Sequence, residues 1–170
     1  MNKYFPHIGR FVLLILFQVL ILNKIYLFNM INPFVYVMFL IMLPFETPGW
    51  ILLIIGFFTG LTIDIFSDTL GMHAAASVLM CFSRPIVQRY VLPREQDYVQ
   101  PSLNDLGLYR FVSFAGILVL IHHFSLFYIE IFRFQGFFYT MVRVLASSVF
   151  SIGLILLILT LINISKDRKR

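Results

Sequence analysis

Seven ionisable side chains lie inside or beside long apolar runs of this sequence, where such groups are costly and often functional. They are Lys24, Asp64, His73, His122, His123, Glu130 and Arg143. Histidines and carboxylates could bind a metal ion or transfer protons, and the charged groups could form ion pairs. The spacing argues against a metal, because adjacent histidines project about 100° apart on a helix and no HExxH pattern is present. We expect hydrogen-bonded structural histidines, with no metal and no cofactor.

The patterns of common enzymes are also missing. No serine lies in GxSxG, and the sequence holds neither a Walker motif nor a glycine-rich phosphate loop. Cys81 is the single cysteine and lies in an apolar run, which excludes an internal disulfide. We therefore expect no catalytic activity.

The apolar runs dominate the chain. Of its 170 residues 60% are hydrophobic and 12% are charged, against about 45–50% and 25% in soluble domains. A soluble domain of this length could not bury so much apolar surface. The composition excludes a soluble enzyme, a disordered tail and a nucleic-acid binder, so we predict a single all-α integral membrane domain over residues 1–170.

Six segments are candidates for transmembrane helices, since each is mostly apolar and the bilayer core needs about 20 residues per helix. They cover about 11–28, 33–45, 49–67, 70–86, 108–132 and 137–164, with a loop over about 87–107. The second and fourth are short, so five spans remain an alternative. We expect the first segment to stay attached, because no small-residue cleavage site follows it.

The basic residues predict the orientation. With six spans and both termini in the cytoplasm, ten of the 13 Lys and Arg residues lie on the cytoplasmic side. The ionisable residues of the spans then gather toward the outer side, which predicts an outward polar cluster or pocket. Its residues are Lys24, Asp64, His73, His123, Glu130 and Arg143.

Small residues predict where helices approach one another. Gly56, Gly60 and Asp64 are four residues apart and share a helix face, and Gly71 and Ala74 begin the next segment. Glycines at this spacing let another backbone come close. We interpret the four small residues, Gly56, Gly60, Gly71 and Ala74, as a helix-packing surface, with a partner interface as the alternative.

Asp64 needs a cation if it stays charged at this depth. We expect it to pair with Arg143 and otherwise with Lys24, because depth and charge balance agree. The alternative is that Arg143 extends to the outer headgroups. Glu130 is expected to reach Arg133, three residues further along its helix.

Two stretches resemble a known family. LPFETPGW (Leu43–Trp50) and GFFTGLTIDIFSDTLGMHAAASV (Gly56–Val78) are similar to the bacterial rod shape-determining proteins MreD. That family shows a G-x-x-x-G-L-x-x-D row, a short turn and then L-G-x-H. The SRP triplet (Ser83–Pro85), LIHHFSLFYIEIF (Leu120–Phe132) and the basic tail look like the version found in Bacteroidetes-type bacteria.

The resemblance implies a non-catalytic scaffold of the inner membrane, within the machinery that builds lateral peptidoglycan and maintains rod shape. Such proteins bind MreC and are linked through it to MreB, RodA and a penicillin-binding transpeptidase. Their fold is similar to that of the substrate-capture subunits of energy-coupling-factor transporters, with six transmembrane helices. We expect membrane lipid as a partner, with the basic tail bound to anionic lipid. We do not expect nucleic acid as a partner.

A vitamin-capture subunit of a multi-subunit transporter is the alternative. Capture subunits often carry an A-x-x-x-A row on the first helix, for docking on their transport partner. The first segment here reads FVLLILFQVLILNKIYLF, without alanine, which favours the scaffold. We also expect the loop between Arg84 and Asp105 to contact partners, through Arg89, Arg94, Glu95 and Asp97.

Overall fold

All regular secondary structure in the computed structural model is helical within the residues that it describes, which are 5–24, 31–93, 100–131 and 136–167. The six α-helices are α1 (Phe5–Leu20), α2 (Val37–Ile41), α3 (Gly49–Ser67), α4 (Met72–Val91), α5 (Leu103–Ile131) and α6 (Phe137–Asp167), and a short 3₁₀ turn covers Leu22–Lys24. The predicted all-α class is confirmed for this part of the chain.

Three of the described helices are long and apolar enough to cross a membrane. They are α3, α5 and the Phe137–Ile164 part of α6. They correspond to the third, fifth and sixth predicted segments. In α5, Gly107 has a positive φ of 73° that interrupts the helix, so its continuous part begins at the predicted residue 108.

The first and fourth segments differ from the predicted bounds. Helix α1 ends at Leu20, and 25–28 of the predicted span lie outside the described residues. Helix α4 continues past the predicted end at 86 to Val91. This extension shortens the predicted 87–107 loop. Three residues of that loop that were expected to contact partners, Arg94, Glu95 and Asp97, lie outside the described residues. Arg133, the expected partner of Glu130, and the basic residues 168–170 also lie outside them.

The second segment is not the helix predicted over 33–45. Only α2 is helical there, and the backbone on both sides of it is irregular. The segment is nevertheless buried, with Val35, Tyr36 and Leu40 fully covered. Irregular backbone is tolerated at membrane depth only where protein surrounds it and satisfies its polar groups. We call residues 31–45 the discontinuous segment.

The long helices surround this segment. Helix α3 packs on α4, α4 on α5 and α5 on α6, while α1 and α2 contact α3. The discontinuous segment extends from the beginning of α4, at His73, to Arg84 near its end, which is about 16 Å along the helix. It therefore runs beside about half of the length of α4.

Candidate functional site

A cluster of polar side chains around Tyr36 occupies the centre of the bundle. The Tyr36 hydroxyl lies 2.6 Å from His122 Nε2, 3.2 Å from His73 Nδ1 and 3.2 Å from Ser77 Oγ. All four residues are buried. This cluster joins the discontinuous segment to α4 and α5.

His123 forms a second connection, from α5 to α6. Its Nδ1 donates to the Val119 carbonyl at 2.9 Å, since a carbonyl can only accept. In the neutral imidazole, Nε2 then accepts from the Ser151 hydroxyl at 3.1 Å. Ser151 Oγ in turn accepts from the Phe34 backbone N–H at 2.9 Å. His123 therefore stabilises the discontinuous segment through α6.

Gln18 of α1 satisfies the irregular backbone before α2. Its side chain is fully buried; Oε1 accepts from Val35 N–H at 2.8 Å and Nε2 donates to the Pro33 carbonyl at 3.0 Å. Ser147 Oγ accepts from Asn32 N–H at 3.1 Å. Side chains thus provide the hydrogen bonds that a continuous helix would form within itself.

Arg84 of α4 does the same at the other end of the discontinuous segment. Its guanidinium donates to the Leu43 carbonyl and lies 3.4 Å from the Ile41 carbonyl and 3.5 Å from that of Pro44. The group also lies 5.4 Å from the Phe45 ring centroid, within cation–π range. Arg84 is buried and binds carbonyl dipoles that α2 leaves unpaired at its C-terminus.

Asp64 joins α3 to α4. Its carboxylate accepts from the Thr69 hydroxyl at 2.5 Å, from His73 N–H at 3.0 Å and from Ala74 N–H at 2.9 Å. The two N–H groups belong to the first turn of α4, where a carboxylate also interacts favourably with the helix dipole. Asp64 is satisfied by these donors, and no cation among the described residues pairs with it.

Gly60 and Gly56 let α3 and α4 approach closely. A β-carbon added at Gly60 would lie 2.5 Å from Ala74 Cα and 2.6 Å from Ala74 N, and one at Gly56 would lie 2.7 Å from Cys81 Sγ. Gly71 has nothing within 4 Å of such an atom, and its φ of 82° is the reason for glycine there. Gly71 therefore serves the turn and not the packing surface.

Arg143 pairs with Glu130, and the expected Asp64–Arg143 pair was wrong. Arg143 Nη1 lies 3.0 Å from Glu130 Oε2, with the side chains 15% and 42% exposed. The guanidinium also lies 4.1 Å from the Phe127 ring centroid. These contacts hold the Arg143 guanidinium against α5. The other proposed partner of Asp64, Lys24, forms no hydrogen bond or ion pair through its side chain with any described residue.

A cavity of about 360 Å³ lies at the end of the bundle that holds Lys24, Asp68 and Glu130, which we call the Lys24 end. Its walls come from the end of α1, the 3₁₀ turn, the beginning of the discontinuous segment, the α3–α4 turn and the end of α5. The polar residues that line it are Gln18, Asn23, Lys24, Asn32, Ser67, Asp68, Thr69, His73 and Glu130.

The predicted polar cluster is therefore divided among separate structures. Lys24, His73 and Glu130 line the cavity, whereas Asp64 holds the first turn of α4 and His123 holds α6. Sequence reasoning missed Gln18, Tyr36 and Arg84. Gln18 carried a usable signal, because it is the single amide within an apolar run of helix α1. Arg84 was expected only as the first residue of the loop that contacts partners.

The arrangement is one of structural hydrogen bonds. No three His, Cys, Asp or Glu side chains of the described ranges are placed to hold a metal ion. Comparison of the chain with protein-family models, with curated proteins and with solved structures found no match.

Proposed function

We propose that the chain is a multi-pass scaffold of the bacterial inner membrane that binds MreC, and through it MreB, RodA and a penicillin-binding transpeptidase, to position lateral peptidoglycan synthesis. The proposal rests on the MreD-like motif. The observation that carries it is that Gly60, Asp64, His73 and Ala74 of this motif meet at one joint between α3 and α4. The spacing of the motif residues thus corresponds to one structural unit. A scaffold role for the chain needs no catalytic group.

In this proposal the chain crosses the membrane six times, with both termini cytoplasmic. The excess of Lys and Arg on one side supports this orientation, and it places the Lys24 end outside. The discontinuous segment supplies the second crossing, since the protein covers its backbone. The likeness to energy-coupling-factor capture subunits, which the resemblance implies, belongs to the same proposal.

A vitamin-capture subunit is the second candidate, and the cavity at the Lys24 end favours it. Its volume of about 360 Å³ falls within the range of small-molecule pockets. In the six-crossing arrangement it faces outward, the side from which a capture subunit receives its solute.

Purification of the chain with its partners separates the two candidates. A C-terminally tagged chain is extracted from its native membrane in a gentle detergent, and the recovered proteins are identified by mass spectrometry. An unrelated tagged multi-pass protein at matched abundance is the control. Recovery of MreC and wall-synthesis enzymes is expected; recovery of transporter ATPases and a coupling subunit would favour the second candidate. A folded bait that recovers neither group would contradict both.

A further inference from the structure

Several polar groups of the cavity are already satisfied by other protein groups. Asn23 Oδ1 accepts from Gln18 Nε2 at 2.9 Å, and Asn23 Nδ2 donates to Ser67 Oγ at 2.9 Å. Glu130 is paired with Arg143. These residues shape the cavity and leave little hydrogen-bonding capacity for a ligand.

Three groups in the walls remain without a partner among the described residues. They are the Lys24 ammonium, the Asp68 carboxylate and Nε2 of His73. Lys24 and Asp68 are exposed, whereas His73 is only 5% exposed. His73 Nε2 has no partner among the described residues but is not closed off inside the protein, so a ligand in the cavity can reach it. Its other ring nitrogen is held by Tyr36, which fixes the ring in the wall.

The charges in the wall select the class of ligand. An anion that bound Lys24 would also meet Asp68 and Glu130, and a cation that bound Asp68 would meet Lys24. A molecule with both charges can pair with both free groups, and its polar atoms can bond to His73. We infer that the cavity binds a zwitterion with an anionic group and an ammonium group, and its position among the helix ends selects phosphoethanolamine, the zwitterionic headgroup of a common bilayer lipid.

Phosphoethanolamine chemistry has two sources, a lipid headgroup and a free solute. The cavity lies at helix ends, the depth at which headgroups lie around a transmembrane bundle. The inference rests on the cavity and not on the proposed scaffold role. If the lipid-binding test fails, the scaffold proposal can still be supported by partner purification. If partner purification fails, the lipid-binding inference can still be supported by its own test.

Native mass spectrometry of the full chain tests the inference. The chain is released from nanodiscs that contain equal amounts of phosphatidylethanolamine and phosphatidylglycerol. We expect about tenfold preferential retention of phosphatidylethanolamine, because only this lipid offers an ammonium to Asp68. Equal retention, or a preference for phosphatidylglycerol, would overturn the inference, and this comparison needs no variant.

Two variants locate the binding. Lys24→Gln and Asp68→Asn should each reduce the preference about tenfold, whereas Arg89→Gln and Glu46→Gln remove the same charges away from the cavity and should leave it unchanged. An equal loss of the phosphatidylethanolamine preference in the control variants would contradict binding at this cavity. Excess free O-phosphoethanolamine then identifies the source: displacement of the lipid indicates a free zwitterion, and no displacement indicates the headgroup.

Discussion

Asp64 illustrates how one buried carboxylate can organise a turn. Its position in a G-x-x-x-G-L-x-x-D row could be predicted to matter, and its burial follows from the apolar neighbours. Its partners could not be predicted, because three donors five to ten residues further along the chain reach it only after the α3–α4 turn has formed. The sequence rule that a buried acid pairs with a cation failed since backbone N–H groups took that role.

Asp64→Asn should lower the free energy of unfolding by about 2 kcal/mol, because the amide replaces one acceptor oxygen with a donor that faces a backbone N–H. SDS titration of the chain in mixed micelles measures this change. Asp68→Asn is the matched control, as its carboxylate has no partner among the described residues; we expect a change below about 0.5 kcal/mol. Equal losses would contradict the role of Asp64.

The ion pair between Glu130 of α5 and Arg143 of α6 can be tested separately. A double-mutant cycle of Glu130→Gln and Arg143→Gln should give a coupling energy of about 0.5–1 kcal/mol, the value expected for a partly exposed pair. A cycle of Asp64→Asn and Arg143→Gln should be additive. Strong coupling in the second cycle and none in the first would restore the pair that the sequence suggested.

At the scale of helices, composition and length predicted α3 and most of α5 and α6 well. Apolar runs of this length have few other stable forms in a membrane. The end of α4 was harder to predict, because a proline such as Pro85 usually ends or kinks a helix. Burial of Arg84 against carbonyl groups lets the helix continue, and that interaction depends on a segment about 40 residues away.

Gly60 controls how closely α3 and α4 can approach. Gly60→Ala should lower the free energy of unfolding by about 2 kcal/mol or more, because the added methyl group meets the Ala74 backbone, which cannot move cheaply. Gly56→Ala should cost less, since it meets the Cys81 side chain. Gly153→Ala is the control: with nothing within 4 Å, stability should stay unchanged or rise by up to about 1 kcal/mol. A Gly60→Ala protein as stable as the control would contradict this close packing.

The discontinuous segment depends on Gln18. Gln18→Leu should lower the free energy of unfolding by about 3 kcal/mol, because Val35 N–H and the Pro33 carbonyl lose their partner inside the bundle. Gln88→Leu, at a side chain of α4 with no such bonds, is the matched control and should change little. Hydrogen exchange at Val35 and Tyr36 should increase in the Gln18 variant alone; unchanged exchange would show that Gln18 is dispensable.

At the scale of the whole molecule, composition predicted the all-α class that the described residues show, with three helices long and apolar enough to cross a membrane. The orientation inferred from the charge asymmetry stays a prediction. The discontinuous second segment could not be predicted in the same way. Residues 33–45 are apolar like the other segments, and what distinguishes them is the set of polar side chains on α1, α4, α5 and α6 that satisfy their backbone. Those side chains are spread over most of the chain, so no local pattern contains them.

The proposed six-crossing scaffold requires that the discontinuous segment carry the chain from one side of the membrane to the other. Cysteine accessibility in spheroplasts tests it, with Lys24→Cys, Glu46→Cys and Leu70→Cys each placed in a Cys81→Ala background. A membrane-impermeant maleimide should label positions 24 and 70 from outside and position 46 only after permeabilisation. Labelling of position 46 from outside together with position 24 would contradict the crossing and, with it, the six-crossing scaffold.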